Sequence, residues 1–359
     1  MALVQQKKVN KNFYVTLVFL ALMAVIAFIQ GPPSYVKVGA EVFLLGLFIY
    51  IRRSFIFFYK GVKHLQNGDN EKAFIYFDKA YNSKADGQQV VSIGSAYIQY
   101  NDSKKGIDIL EKYISKSKDI NYVNVAKVTI SMGYWKEHRL DDAINVLQNL
   151  WDDGYVDNNL LVNLQTYLLE KGDLKEAKRV LNETKKITTE SNGMVENRGW
   201  YYILNGEWAK AYDLYDDLVN DRQPKFPEAY IHGAQVMIHK GERERALDFL
   251  GWALGKMFTN TCPFTKEYVQ NLILGLDNPE TSNAFMESMN NNVQAIAVGK
   301  PFEGQILAKD FDGPHYEVKE QKLVNKPETE KKEEGVEDNT SLDEDDDERM
   351  PNTDLGEDE

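Results

Sequence analysis

The chain has 359 residues, with 55 acidic against 42 basic side chains, five histidines and a single cysteine, Cys262. One cysteine excludes an intramolecular disulfide and a cysteine-built zinc site, and no basic face of the kind nucleic-acid binders carry is present. The acidity is local: residues 300–359 hold 21 acidic and 8 basic side chains, a net of −13 that equals the charge of the whole chain.

Residues 1–12 form a short N-terminal segment bearing Lys7, Lys8 and Lys11. From Phe13 to Gln30 the chain then runs 18 residues without a charge, close to the length that spans a bilayer. Gly31-Pro32-Pro33-Ser34 forces a turn, and a second apolar run over 35–51, with Lys37 and Glu41 near its start, ends at Arg52 and Arg53. This spacing predicts a transmembrane helical hairpin over 13–53, its helices at 13–30 and 35–51. Lys7, Lys8 and Lys11 on one flank and Arg52 and Arg53 on the other place both termini in the cytoplasm by the positive-inside rule, making the chain a multi-pass protein of the cell membrane. The alternative is one span with an interfacial second helix, which would put the remainder outside. No Gly or Pro lies between Arg52 and Tyr59, so the second apolar helix is expected to run on into the next element.

Beyond Ser54 a small residue recurs at one phase of a cycle. Ala73, Gly106, Ala143, Ala177, Ala211 and Ala246 are 33, 37, 34, 34 and 35 positions apart. Five residues before each stands a helix stop: Gly68, Asn101, His138, Gly172, Gly206 and Gly241. Twelve residues before each stands Gly61, Gly94, Ser131, Gln165, Gly199 or Ala234. Self-similarity at this period means stacked helix-turn-helix units, each burying its apolar face on its neighbours. A left-handed glycine ends the first helix of a unit, and the acid after it suits the positive N-terminus of the second.

The pattern resembles the tetratricopeptide repeat family, in its membrane-anchored bacterial form, with small residues where helix A and helix B of each pair touch. The repeat-packing set is Gly61, Ala73, Gly94, Gly106, Ala143, Ala177, Gly199, Ala211, Ala234 and Ala246. Gln165 is too large for its position, and His138 replaces a turn glycine. The resemblance implies an all-α solenoid of about six repeats over 54–276, closed by a capping helix over 264–276. It also implies a concave groove lined by helix A residues: Val91, Ile98, Val128, Met132, Trp135, Val162, Trp200, Ile203, Ile231 and Ile238. An apolar groove with two tryptophans suits a helix or extended peptide of a protein partner. The chaperone-tail clamp, a lysine and an asparagine at fixed positions of helix A, is missing: the lysine position reads Phe58, Val91, Val128, Val162, Glu196 and Ile231.

Residues 277–299 read as weakly structured, and 300–359 as a disordered acidic tail. The run Asp343–Glu348 lacks the glycine and spacing of a calcium loop and reads as solvating. No phosphate-cradling glycine loop or catalytic motif occurs. His232 and His239 read as a surface pair, and Cys262, between helices, as inert. The expectation is a non-enzymatic scaffold or adaptor, without cofactor or metal, presenting its groove to a protein partner at the cytoplasmic face. The competing expectation is an assembly or stability subunit acting through its membrane hairpin, with Glu41, Gly39 or Gly46 in contact with another membrane protein.

Overall fold

The computed structural model describes residues 11–187, 190–278, 280–307 and 317–322. Over these residues the chain is all-α, with sixteen α-helices packed largely as antiparallel pairs. It divides into two compact units, Met1–Val90 and Val91–Glu359.

In the first unit α1 (Lys11–Phe28) is joined to α2 (Ser34–Gln66) by a turn in which Gly31 holds φ at +111°. Among the described residues α2 is the one helix long and apolar enough to cross a membrane, and the apolar stretch of α1, Tyr14–Phe28, is shorter. Two spans were expected from the sequence; one helix meets the length. The rings of Phe19 and Phe48 stack with centroids 4.2 Å apart, yet Phe28, Val42 and Phe43 stay largely exposed. The run 35–51 does not stop at Arg52 and Arg53. With no residue to break it, the helix continues and its far half becomes helix A of the first pair. There Ser54 is buried, its hydroxyl 2.8 Å from Gln89 Oε1 and 3.2 Å from the Ala80 carbonyl. Helix α3 (Asn70–Asn82) folds back on this half, and Asp69 caps it by accepting the Lys72 N–H. A Cβ on Gly61 would come within 2.6 Å of the Phe77 ring, which is why glycine stands at that contact.

The second unit takes up α4 (Gly87–Tyr100), whose first four residues belong to the first unit, and pairs it with α5 (Ser103–Lys116). The next pairs are α6 (Ile120–Lys136) with α7 (Leu140–Asp152), then α8 (Asn158–Lys171) with α9 (Leu174–Ile187). They are followed by α10 (Asn192–Leu204) with α11 (Trp208–Asp217), and α12 (Glu228–His239) with α13 (Arg243–Leu254). A π-helical turn, Leu218–Arg222, extends α11. All ten repeat-packing residues are buried, and each of the six alanines among them has no exposed surface. Gln165 is accommodated by chemistry instead of size: wholly buried, it donates to Thr184 Oγ1 at 2.8 Å and accepts from Asn197.

The turn glycines Gly172, Gly206 and Gly241 hold φ at +79°, +71° and +79°. His138 does the same work at +61°, and Arg139 N–H closes onto Tyr134 O at 2.8 Å as Asp173 N–H closes onto Leu168 O at 3.0 Å. The closure is therefore set by backbone hydrogen bonds, with the side chain borne at a steric cost of about 1 kcal/mol. His138→Gly is expected to raise stability by about 1 kcal/mol, less whatever glycine adds to unfolded-chain entropy, read as a higher midpoint in thermal unfolding.

After the last pair α14 (Lys266–Asp277) packs on α13 as a cap, its final carbonyls at Leu276 and Asp277 accepting from Arg243 at 2.6 and 2.7 Å. The stretch 277–299, expected to be weakly structured, contains α15 (Ser282–Asn291) and α16 (Val293–Ala297). Their asparagine-rich sequence hides them, because they are held by docking against α12 rather than by helix propensity. Within the expected tail, residues 317–322, without regular secondary structure, lie against α13. The acidic run Asp343–Glu348 lies outside the described residues.

Candidate protein-interaction site

Helices α6, α8, α10 and α12 lie side by side and supply most of the groove positions read from the sequence. Seven of those ten side chains are buried: Val91, Ile98, Val128, Trp200, Ile203, Ile231 and Ile238. Met132, Trp135 and Val162 are partly exposed. Trp135 stacks on Tyr167, the centroids 6.2 Å apart and the planes 14° from parallel, and its indole N–H donates to Glu170. A flat aromatic whose orientation is already fixed loses little freedom when a partner settles on it.

Two later segments dock on these helices, and the first accounts for part of the burial. The first is α16 with its flanks, seated on α10 and α12. Gln235 donates to Val293 O at 2.9 Å, His232 Nε2 to Ala297 O at 2.9 Å, and Tyr268 OH to Lys300 O at 3.1 Å, while Ala297 and Val298 join the cluster around Trp200 and Tyr201. Gly299 is needed there, with φ at +65° and the Pro263 carbonyl 2.4 Å from where a Cβ would stand. The second is the loop after α13. Asn260 donates its backbone N–H to Gln99 O at 2.8 Å and its side-chain amide to Asn101 O at 3.2 Å, and Tyr100 OH lies 3.5 Å from Met257 Sδ. This loop thus ties the far end of the second unit to the end of α4.

Beneath α16 lies a buried polar centre that reasoning from the sequence missed. His232, read there as half of a surface pair, is 2% exposed; His239 is exposed and stacks on Trp208 at 3.8 Å. His232 Nδ1 meets Glu196 Oε1, and Tyr215 OH donates both to that carboxylate oxygen and to the Glu196 carbonyl, each at 3.2 Å. Ala297 O can only accept, so Nε2 carries a proton, and Nδ1 faces the Glu196 carboxylate. Burial alone would lower the His232 pKa, but the Glu196 carboxylate and the Ala297 carbonyl hold it above the ordinary imidazole value. Burial pushes the nearby Glu228 carboxyl up to about 7. It also drives the Cys262 thiol far above its usual range, with Glu228 adding to the effect. A thiol so held is a poor nucleophile. The available signal for this centre was Glu196 itself, an acid among apolar groove positions.

Of the residues flanking the apolar segments, Lys7 and Lys8 lie outside the described residues, and Lys11 opens α1. The Arg52 guanidinium rests over the Phe48 and Phe55 rings, and Arg53 lies over Tyr50 at 3.8 Å. Both are aliphatic stems along an apolar helix with a charged head at its edge.

No family model matches the chain, and no curated protein matches it. Among solved structures, it is similar to the crystal structure of a tetratricopeptide repeat protein from Parabacteroides merdae, with a TM-score of 0.53, 12% sequence identity, and coverage of 74% of this chain and 100% of that one. At such low identity the likeness is one of fold. Helical pairs, left-handed turns and small contact residues agree with it, and the chain has a tetratricopeptide-like all-α repeat fold.

Proposed function

We propose that the chain is a membrane-anchored scaffold that presents a protein-binding surface in the cytoplasm. The observation that carries the scaffold reading is Trp135. It stays partly exposed, its ring pre-set by Tyr167 and Glu170, with Met132 and Val162 the other groove positions not sealed by the chain itself. Repeat folds of this kind offer such surfaces to helices or extended peptides of partner proteins. Burial narrows the expected groove to this region, because Trp200 lies among the residues that α16 packs against.

The anchoring is supported by α2, whose apolar half is covered by little of the described chain. Exposed apolar surface of this extent calls for lipid or a partner. On this reading α1 completes a two-span hairpin, and Lys7, Lys8, Lys11, Arg52 and Arg53 hold both ends inside.

The test uses the full-length chain in its native membrane. A photocrosslinking residue at position 135 should capture a partner, and Trp135→Ala should reduce its co-purification at least tenfold while helicity is unchanged. A C-terminal tag should resist protease until the membrane is opened. An unchanged set of co-purifying proteins overturns the surface, and cleavage from outside overturns the topology.

A further inference from the structure

We propose that the face of α13 bearing Asp248, Gly251 and Trp252 is a peptide-recognition site, and that this chain's own residues 317–322 are its resident ligand. The ligand chemistry it selects is an extended segment with a β-branched residue, then lysine, then glutamine two positions later.

The argument begins with Lys319. Its backbone N–H donates to Asp248 Oδ1 at 3.3 Å, and its carbonyl accepts from the Trp252 indole at 2.7 Å. Two side chains one helical turn apart therefore hold both polar groups of one residue's backbone, as a neighbouring strand would. Extended backbone has no internal partners for these groups, so a clamp that supplies them selects extended peptides. Between the two stands Gly251. A Cβ there would fall 2.3 Å from Val318 Cγ2, so the glycine is what admits the branched side chain. Glycine is a poor helix former next to alanine, and the contact with Val318 is the structural reason for it here.

The side chains add the remaining selectivity. Lys319 Nζ lies 3.5 Å from Glu244 Oε2 and 3.7 Å from Asp248 Oδ2. The Gln321 amide donates to Val219 O at 2.9 Å, and Gln223 donates to Lys322 O at 2.6 Å. Those last contacts fall on the π-helical turn and the residue after it, where an N–H bonded five back leaves a carbonyl open to a side-chain donor. The site is thus read by backbone geometry, one glycine against which the half-exposed Val318 lies, one acidic pair and one carbonyl of the π-helical turn. It uses none of the Trp135 surface and stands whether or not that proposal does.

A resident ligand on the same chain occupies such a site at a local concentration of roughly millimolar, and so excludes weaker competitors. The test therefore compares full-length chains. The probe is a dye-labelled synthetic peptide of residues 314–325, followed by fluorescence anisotropy. The native chain, already occupied, should bind it weakly. Val318→Asp, which spoils the docked segment, should bind it at least tenfold more tightly. Lys319→Pro, which deletes the amide that Asp248 accepts, serves as a second undocked chain. Adding Gly251→Val to either should abolish binding, with circular dichroism showing the helices intact. Equal binding by native and undocked chains, no binding by both undocked chains, or binding that survives Gly251→Val overturns the proposal.

Discussion

Replacing Glu196 by alanine is expected to lower the stability of the chain by about 3–5 kcal/mol, the usual consequence of removing one member of a buried charged pair. The change strands His232 in an apolar interior between Trp200 and Phe264, whose rings lie 5.1 and 5.7 Å away. It also removes the carboxylate acceptor of the Tyr215 hydroxyl, which keeps only the backbone carbonyl of residue 196. Urea unfolding at constant slope measures the loss. The pH dependence gives the sign. In the native chain His232 is raised above 6.5 and Glu228 above 4.5. The folded state therefore binds more protons than the unfolded one between the ordinary and the raised values. Stability is then greatest on the acid side and falls as pH rises through those values. For Glu228 the decline runs from about pH 4.5 to about pH 7. In the Glu196→Ala chain burial acts on His232 with only the Ala297 carbonyl and Glu228 left to oppose it, so the stabilising His232 contribution on the acid side is lost. The deficit should be larger at pH 5.5 than at pH 8. A loss under about 1 kcal/mol, or one equal at both pH values, would show that the centre is only packed and not electrostatically coupled.

Gly106→Ala carries the second large effect, against what the repeat pattern suggests. Every other unit has alanine at this phase, and alanine is the better helix former by about 1 kcal/mol. Here, however, a Cβ would stand 2.7 Å from the Gly94 carbonyl oxygen and 3.0 Å from the Ile98 nitrogen. These are backbone atoms and cannot swing away. With glycine on both sides of the contact, α4 and α5 approach too closely for a methyl group, so overpacking of about 1–3 kcal/mol should exceed the propensity gain. Chemical denaturation of the single variant checks it. A stability equal to the native chain's would mean the two helices can part without cost.

How much was legible follows from how local each signal is. The alanine phase and the stops at Gly172, Gly206 and Gly241 lie in the sequence because turn geometry and helix contact depend on a few neighbouring residues. His138 in a left-handed turn was legible as position but not as conformation, since the hydrogen bonds that enforce it come from Tyr134 and Arg139. The fate of the groove was not legible. Whether Trp200 and Ile231 face solvent depends on a segment up to about a hundred residues further on, and the asparagines of 283–292 give no hint that it is helical. Gln165 and Glu196 show the same limit, as polar residues whose tolerance depends on Thr184, Asn197 and His232 in other helices. Glycine at 251 likewise makes sense only once Val318 is in place.

The unbroken run of α2 from its apolar half into the first helical pair fixes orientation as well as position. Each residue added to or removed from the stem between Ile51 and Ser54 would swing the pair about the helix axis by about 100°, and shift it along that axis by about 1.5 Å. Only changes near whole turns would leave the pair facing as it does. The stem thus works as an indexed shaft, and its length is open to variation only in steps.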